Sequence, residues 1–221
     1  MCGRYTLAAG VDELVETFGV PLPEFEWAPR YNIAPGQRAP VVASGGHGLR
    51  AALLTWGFVS ARVERPGARI VNARAESVRK KSSFREAFER RRCLVPADGF
   101  YEWKREGRAK VPFWFHPKGK GLLAFAGLWE TWSRPGAKPR HTFVILTTEA
   151  GPDVAAIHGR MPAIVRPGDW ARWLDRGSDP RALEALLGPS PAGTLVGWRV
   201  GTRVNRVAED DAGLVEPAGD S

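Results

Sequence analysis

RRCLVPADGFYEWK, residues 91–104, is the stretch whose reading decides the fold class. Two short runs, 93–97 and 99–104, are apolar and aromatic and meet at Asp98, so they predict strands rather than one helix. Similar runs, rich in Val, Ile, Phe, Trp and Thr, recur outward from it at 39–43, 49–56, 111–116, 122–130, 142–148, 161–165 and 195–200. Between the first two of these lies SGGHG, 44–48, which predicts a hairpin turn. It lacks the Lys-Ser/Thr of a phosphate-binding loop and is not read as a nucleotide site.

Four helices interrupt the strands. Val11, Leu14, Val15 and Phe18 follow helical spacing, and Gly19 can end that helix. Ser83 and Glu86 form a candidate capping box ahead of Phe84, Ala87 and Phe88. Trp170, Trp173 and Leu174 predict a third helix after Pro167. The fourth has Asp179 as N-cap, Pro180 at its first position, Leu183, Leu186 and Leu187 on one face, and Gly188 beyond its end. Strands dominate, so the expected fold is α+β: a single compact domain around a large, mostly antiparallel, distorted barrel-like sheet with inserted helices. That domain is assigned to residues 1–207. The remainder, 208–221, carries Glu209, Asp210, Asp211, Glu216 and Asp220 with few apolar side chains, and is expected to be a disordered acidic tail.

The chain has 32 Lys+Arg against 24 Asp+Glu, a formal net charge of +8 and a sequence pI near 10.0. That balance favours polyanions, nucleic acid before an anionic membrane, although a merely soluble basic surface gives the same total. No apolar run approaches the ~20 residues of a membrane span, and MCGRYTLAAG lacks the apolar core of a secretory signal. A soluble cytoplasmic protein, without membrane contact, is expected. His47, His116, His141 and His158 show no zinc-ligand spacing with Cys2 or Cys93, so no metal and no cofactor is assigned. Cys93, inside CLVPA, reads as a small core residue.

Cys2 is different. Removal of Met1, which generally follows when the next side chain is small, leaves Cys2 with a free α-amine beside its thiol. An amine of pKa about 7.7–8.0 and a thiol of about 8.5 on one residue can trap an aldehyde, first as a Schiff base and then as a five-membered thiazolidine. Position 2 can equally hold any residue, so other segments must carry weight. In IVNARAES, 70–77, Asn72 and Arg74 lie on one side of an extended segment. They suit an amine or sugar hydroxyl and a phosphate, or else are a turn Asn and a surface Arg. In DGFYEWK, 98–104, Glu102 sits between aromatics that would desolvate it and raise its pKa toward general acid–base use. Trp103, on the opposite face by alternation, either stacks on a base or fills core. In IHGRMP, 157–162, His158 is either a proton shuttle or a structural histidine.

The chain resembles the SOS-response-associated peptidase (SRAP) family of abasic-site-processing proteins. The resemblance rests on MCGRY (1–5), YNIAPGQ (31–37), WGF (56–58), NARAES (72–77), RRCLVPADGFYEW (91–103), AGLWE (126–130), TT (147–148), IHGRMPAIV (157–165) and VNRV (204–207). It implies a compact fold around a distorted barrel, with a positive cleft over the N-terminus. The implied partner is single-stranded DNA containing an abasic site, bound by a monomer that is nucleoid-associated when on DNA. It also implies roles: Cys2 forms the thiazolidine, and Asn72 positions the sugar and the Cys2 amine. Glu102 assists ring opening and crosslink reversal, and His158 moves protons. Arg4 and Arg74 hold flanking phosphates; Trp103, from its place on the strand, and Lys81, from the basic patch Arg79, Lys80 and Lys81 beyond NARAES, are also assigned to the DNA-binding surface. Members of the family often carry Trp soon after the WG motif; here VSARVERPGA, 59–68, offers Arg62 and Arg65 and no Trp. Two other readings remain open at this level, an N-terminal-nucleophile amidohydrolase or peptidase and a noncatalytic basic DNA-binding module.

Overall fold

A computed structural model gives the architecture and describes residues 2–46 and 48–219. The first half runs β1 (Arg4–Leu7), α1 (Val11–Phe18), β2 (Arg30–Ile33), β3 (Arg38–Gly45), β4 (Gly48–Trp56), β5 (Asn72–Arg74), α2 (Ala75–Val78), α3 (Ser82–Arg90) and β6 (Arg92–Ala97). The second runs β7 (Gly99–Glu106), β8 (Ala109–Pro117), β9 (Leu123–Trp132), β10 (Arg140–Glu149), α4 (Pro152–Ala155), β11 (Arg160–Pro162), α5 (Trp170–Leu174), α6 (Pro180–Glu184) and β12 (Leu195–Arg199).

The α+β, barrel-like expectation is met, in two sheets rather than one. β9 pairs with β6, β6 with β3, β3 with β4 and β4 with β10, and β10 returns to β9. Those five strands close a ring, to which β5 and β11 attach through β10. A second sheet has the order β12-β8-β7-β1-β2. Among the described pairings only β4–β10 and β5–β10 are parallel. β9 is an enclosed wall: Ala124, Phe125, Ala126 and Leu128 are buried on both faces, and such strands read as near-continuous apolar runs. Gly127 sits there because a Cβ would lie 2.8 Å from Cys93 Sγ and 3.0 Å from Val95 Cγ2. The sheets share one core, in which Tyr5 of β1 meets Trp56 at 5.3 Å and Phe125 at 6.0 Å, ring centre to ring centre.

The helices cover the ring. α1 buries Leu14 and Phe18 and ends at Gly19, whose φ of 61° suits glycine and whose N–H reaches Val15 O. α3 forms where expected but without the capping box: its N-cap is Lys81, no side chain caps it, and Glu86 pairs with Arg91 instead. The third predicted helix is α5, preceded by a 3₁₀ turn at Pro167–Asp169. α6 starts on the Asp179 cap, whose side chain accepts Arg181 N–H, and tightens to a 3₁₀ turn at Ala185–Leu187. Buried Arg92 clamps this layer, donating to Trp173 O and Phe88 O, each at 2.6 Å.

The expectation of a disordered acidic tail does not hold for 208–219. The acids there are acceptors for groups that would otherwise lack partners. Asp210 Oδ1 accepts the N–H groups of Tyr31 (2.6 Å) and Asn32 (2.9 Å) at the edge strand β2, and its other oxygen pairs with Arg30. Arg203 binds Glu209 at 2.6 Å and also binds Asp211. Leu214, 2% exposed, completes a small apolar cluster with Tyr101, Val200 and Val204. Asp220 lies outside the described residues.

Candidate active site

Cys2 lies two residues before the start of β1, which pairs with β7 through Arg4↔Tyr101. That pairing brings Glu102, the next residue of β7, to the chain's beginning. From the other side, β5 lies along β10 with Asn72 opposite Ile145. Asn72 Nδ2 donates to Cys2 O at 2.7 Å, fixing the Cys2 backbone. Its Oδ1 is buried and has no hydrogen-bond partner among the described residues, an acceptor held ready beside the same residue. The Cys2 thiol is fully buried and donates to Arg4 O at 3.6 Å. Burial, and then the Glu102 carboxylate, push its pKa well above the usual thiol range, so a standing thiolate is not the resting form.

Glu102 is 1% exposed, and burial raises its pKa to about 7. Its Oε2 lies 3.7 Å from His158 Nδ1. His158 follows α4, and its Nδ1 is 3.0 Å from Arg160 N and 2.9 Å from Arg160 O. Burial lowers the imidazole pKa, so the ring is neutral at physiological pH. A carboxyl poised near 7 beside a neutral imidazole can both accept and return a proton.

Of these groups Glu102 and His158 line a cleft of about 580 Å³, together with Gly3, Arg4, Trp103, Arg105, Lys110, Ile157, Gly159 and Asn205, whereas Cys2, fully buried, and Asn72 do not line it. Three of the lining residues are cationic and Glu102 is the one carboxylate among them. Trp103 is half-buried along the wall of this same cleft, its Nε1 held by Asn205 Oδ1 at 2.8 Å, rather than buried in the main core behind Glu102. Arg4 is largely committed to the protein: Nη1 donates to Asn32 Oδ1 (2.8 Å) and Val204 O (2.6 Å), and Nη2 to Asn205 O (3.3 Å). Arg74 is exposed at the end of β5, and Lys81 is exposed at the start of α3; neither lines the cleft.

Sequence reading missed Arg105, Lys110, Asn205 and the work of Arg160. Arg105 pairs with Lys110 across the β7–β8 hairpin, a signal visible in the basic run KREGRAK once the turn is placed. Arg160 grips Glu76 through both oxygens, at 2.7 and 3.0 Å, and Thr147 O at 2.6 Å. It thereby locks the segment bearing Asn72 to the segment bearing His158. Among the described residues no group of three His, Cys, Asp or Glu side chains is placed to hold a metal ion, and no helix is long and apolar enough to cross a membrane.

The family model of the SOS response associated peptidase (SRAP) matches residues 1–207. The chain belongs to the SRAP family. Its similarity to individual SRAP relatives extends over nearly its whole length. It is 38% identical over 222 residues to the abasic site processing protein YoqW of Bacillus subtilis, covering 98% of this chain and 99% of that one. With the abasic site processing protein HMCES of Gallus gallus it is 32% identical, over 89% of this chain and 68% of that one. A crystal structure of a protein from Bacteroides thetaiotaomicron superposes with a TM-score of 0.87 at 23% identity, over 98% of this chain and all of that one, which shows a shared fold.

Proposed function

We propose that this SRAP chain senses abasic sites in single-stranded DNA and forms a covalent crosslink to them through Cys2, shielding the lesion. The observation that carries this reading is the grouping at Cys2: its carbonyl held by Asn72, its thiol beside a buried carboxyl of pKa about 7, and His158 3.7 Å from that carboxyl. The names of the SRAP relatives, abasic site processing proteins, favour this over amide hydrolysis.

The ring-opened deoxyribose of an abasic site presents an aldehyde. After removal of Met1, the Cys2 amine attacks that carbon, and loss of water gives the Schiff base. Cys2 Sγ then adds to the imine carbon. The thiol proton passes to the Glu102 carboxylate and on to the former imine nitrogen, so the thiazolidine forms without net acid or base. Because the thiol is held protonated, a local base is required rather than merely helpful. Protonated Glu102 drives the reverse step by returning a proton to sulfur, with neutral His158 as its relay. Asn72 Oδ1 accepts from the amine or a sugar hydroxyl. Arg74, exposed and with no ion-pair partner among the described residues, suits a phosphate directly. Arg4 keeps only part of its guanidinium for DNA, and Lys81 acts farther along the strand. The half-buried Trp103 offers an unstacked base an indole edge, which fits a single strand better than a duplex.

The test is a denaturing gel with an abasic single-stranded oligonucleotide, beside intact-mass analysis of the N-terminus. The expected result is a heat-stable shifted band formed by protein lacking Met1 and by none that retains it. An equal adduct from protein with a blocked N-terminus would overturn the mechanism.

A further inference from the structure

The five-stranded ring is open where β10 begins, and a cavity of about 470 Å³ enters it there. Ala43, Ala52, Leu54 and Trp129 line it. Strand register puts these residues on one alternation parity: Ala43 faces Arg50, Leu54 faces Ala39, and Trp129 faces Phe143. The same parity carries Trp56, which pairs with Phe143, so the cavity leads onto the aromatic interior of the ring. Its rim is cationic. Arg50 lies across Gly45, where any Cβ would collide with the guanidinium, and has no hydrogen-bond or ion-pair partner among the described residues. Arg176 stands beside it, donating to Ser44 O at 3.0 Å. Among the described residues no Asp or Glu lines the space. The polar side chains stand at the exposed end, where Thr131 Oγ1 and His141 Nδ1 hydrogen-bond each other at 2.9 Å, while Ala43, Ala52 and Leu54 give the wall no polar side-chain atom. A sugar or a base edge would therefore be buried without partners, at a cost, whereas an apolar body would not.

We infer that this mouth binds a small amphipathic monoanion, an acyl or aryl carboxylate or its phosphate or sulfonate equivalent, with its apolar body in the ring and its head on Arg50 and Arg176. The site is separate from the crosslinking cleft. The two share no lining residue, and His141 and Ile145, the latter opposite Asn72, are four residues apart on β10, roughly 13 Å at strand rise.

Titration calorimetry with decanoate tests this on the full chain. The expected result is saturable binding at one molecule per chain, weakened at least tenfold by Ala52→Phe, which fills the cavity. Arg50→Gln at the exposed rim should weaken it at least fivefold, and decanol should bind at least fivefold more weakly than decanoate. Adduct formation on abasic DNA should be unchanged in both variants, so this inference and the proposed function fail separately. Absence of saturable binding, affinity equal to wild type in both variants, or displacement of decanoate by equimolar dAMP would overturn it.

Discussion

Cys2 and Cys93 have the same accessibility, none, and burial pushes both thiols above their ordinary range. Their surroundings differ. Cys93 sits on β6 against Gly127, burial alone accounts for its raised pKa, and its sulfur makes no hydrogen bond among the described residues. Cys2 has its carbonyl tied to Asn72, its thiol directed to a backbone oxygen, and the Glu102 carboxylate close enough to raise its pKa further. Exposure and thiol acidity therefore do not separate the cysteine proposed to react from the one that is not. What separates them is a proton acceptor at hand and, at Cys2 once Met1 is removed, an amine on the same residue.

The sharpest way to break this contrast is to remove each thiol in turn. Cys2→Ala should reduce adduct yield on abasic oligonucleotide to background, while Cys93→Ala should keep it within about twofold of wild type, since remote core changes act mainly through stability. Comparable losses from both would mean that the polar surroundings of Cys2 are incidental.

Glu102 supplies the acceptor, so the next test withdraws it. Glu102→Gln should slow crosslink formation or its reversal by about 10²-fold in single-turnover assays. The wild-type rate should show an inflection near pH 7, set by the raised Glu102 pKa, and the variant should lack it. A variant profile that keeps the inflection would move the base role to His158.

Part of this site was legible in the residues alone. Glu102 between Tyr101 and Trp103 reads as a desolvated carboxylate because its strand neighbours are large and apolar. α1 was legible down to its terminating Gly19, since four apolar residues at helical spacing and one glycine are local signals. The ring closure was not, because the β9–β10 and β4–β10 pairings join segments whose sequences carry no record of each other. β1 and β2 escaped notice as strands of four residues each, too short for alternation to show. The acidic end misled for a related reason. Asp210 resembles a solvated charge until the N–H groups of Tyr31 and Asn32, far away in sequence, are seen to need acceptors. Arg105 and Lys110 looked like ordinary surface charge because only the hairpin register puts them together at the cleft.

The same carboxyl gives a stability test with a fixed sign. Its folded pKa, about 7, lies above the unfolded carboxylate value, so its contribution is fully present below the unfolded pKa and is lost as pH rises through about 7. At pH 8.5 the fold must hold an ionised, buried Glu102; at pH 5 it holds a neutral one much like Gln. Glu102→Gln should therefore be more stable than wild type at pH 8.5, on the order of 1–3 kcal/mol by urea denaturation, and the gap should close at pH 5. A gap of equal size at both pH values would show that the carboxyl is not strained by burial.

The smallest effect compares one isosteric change at both cysteines. Serine keeps the volume of cysteine but brings a hydroxyl that must find a partner. At Cys2 the partner exists, because Arg4 O already accepts from the thiol. Cys2→Ser should leave stability within about 0.5 kcal/mol of wild type while abolishing the thiazolidine. At Cys93 the hydroxyl would enter the apolar seam between β6 and β9, where Gly127 packs against the sulfur. Cys93→Ser should cost about 1–2 kcal/mol by denaturant unfolding and leave the adduct intact. Borohydride trapping sharpens the contrast further: Cys2→Ser retains the amine, so it should still yield a reducible Schiff base on abasic DNA, and a variant that yields none would show that the thiol, not the amine, makes the first bond.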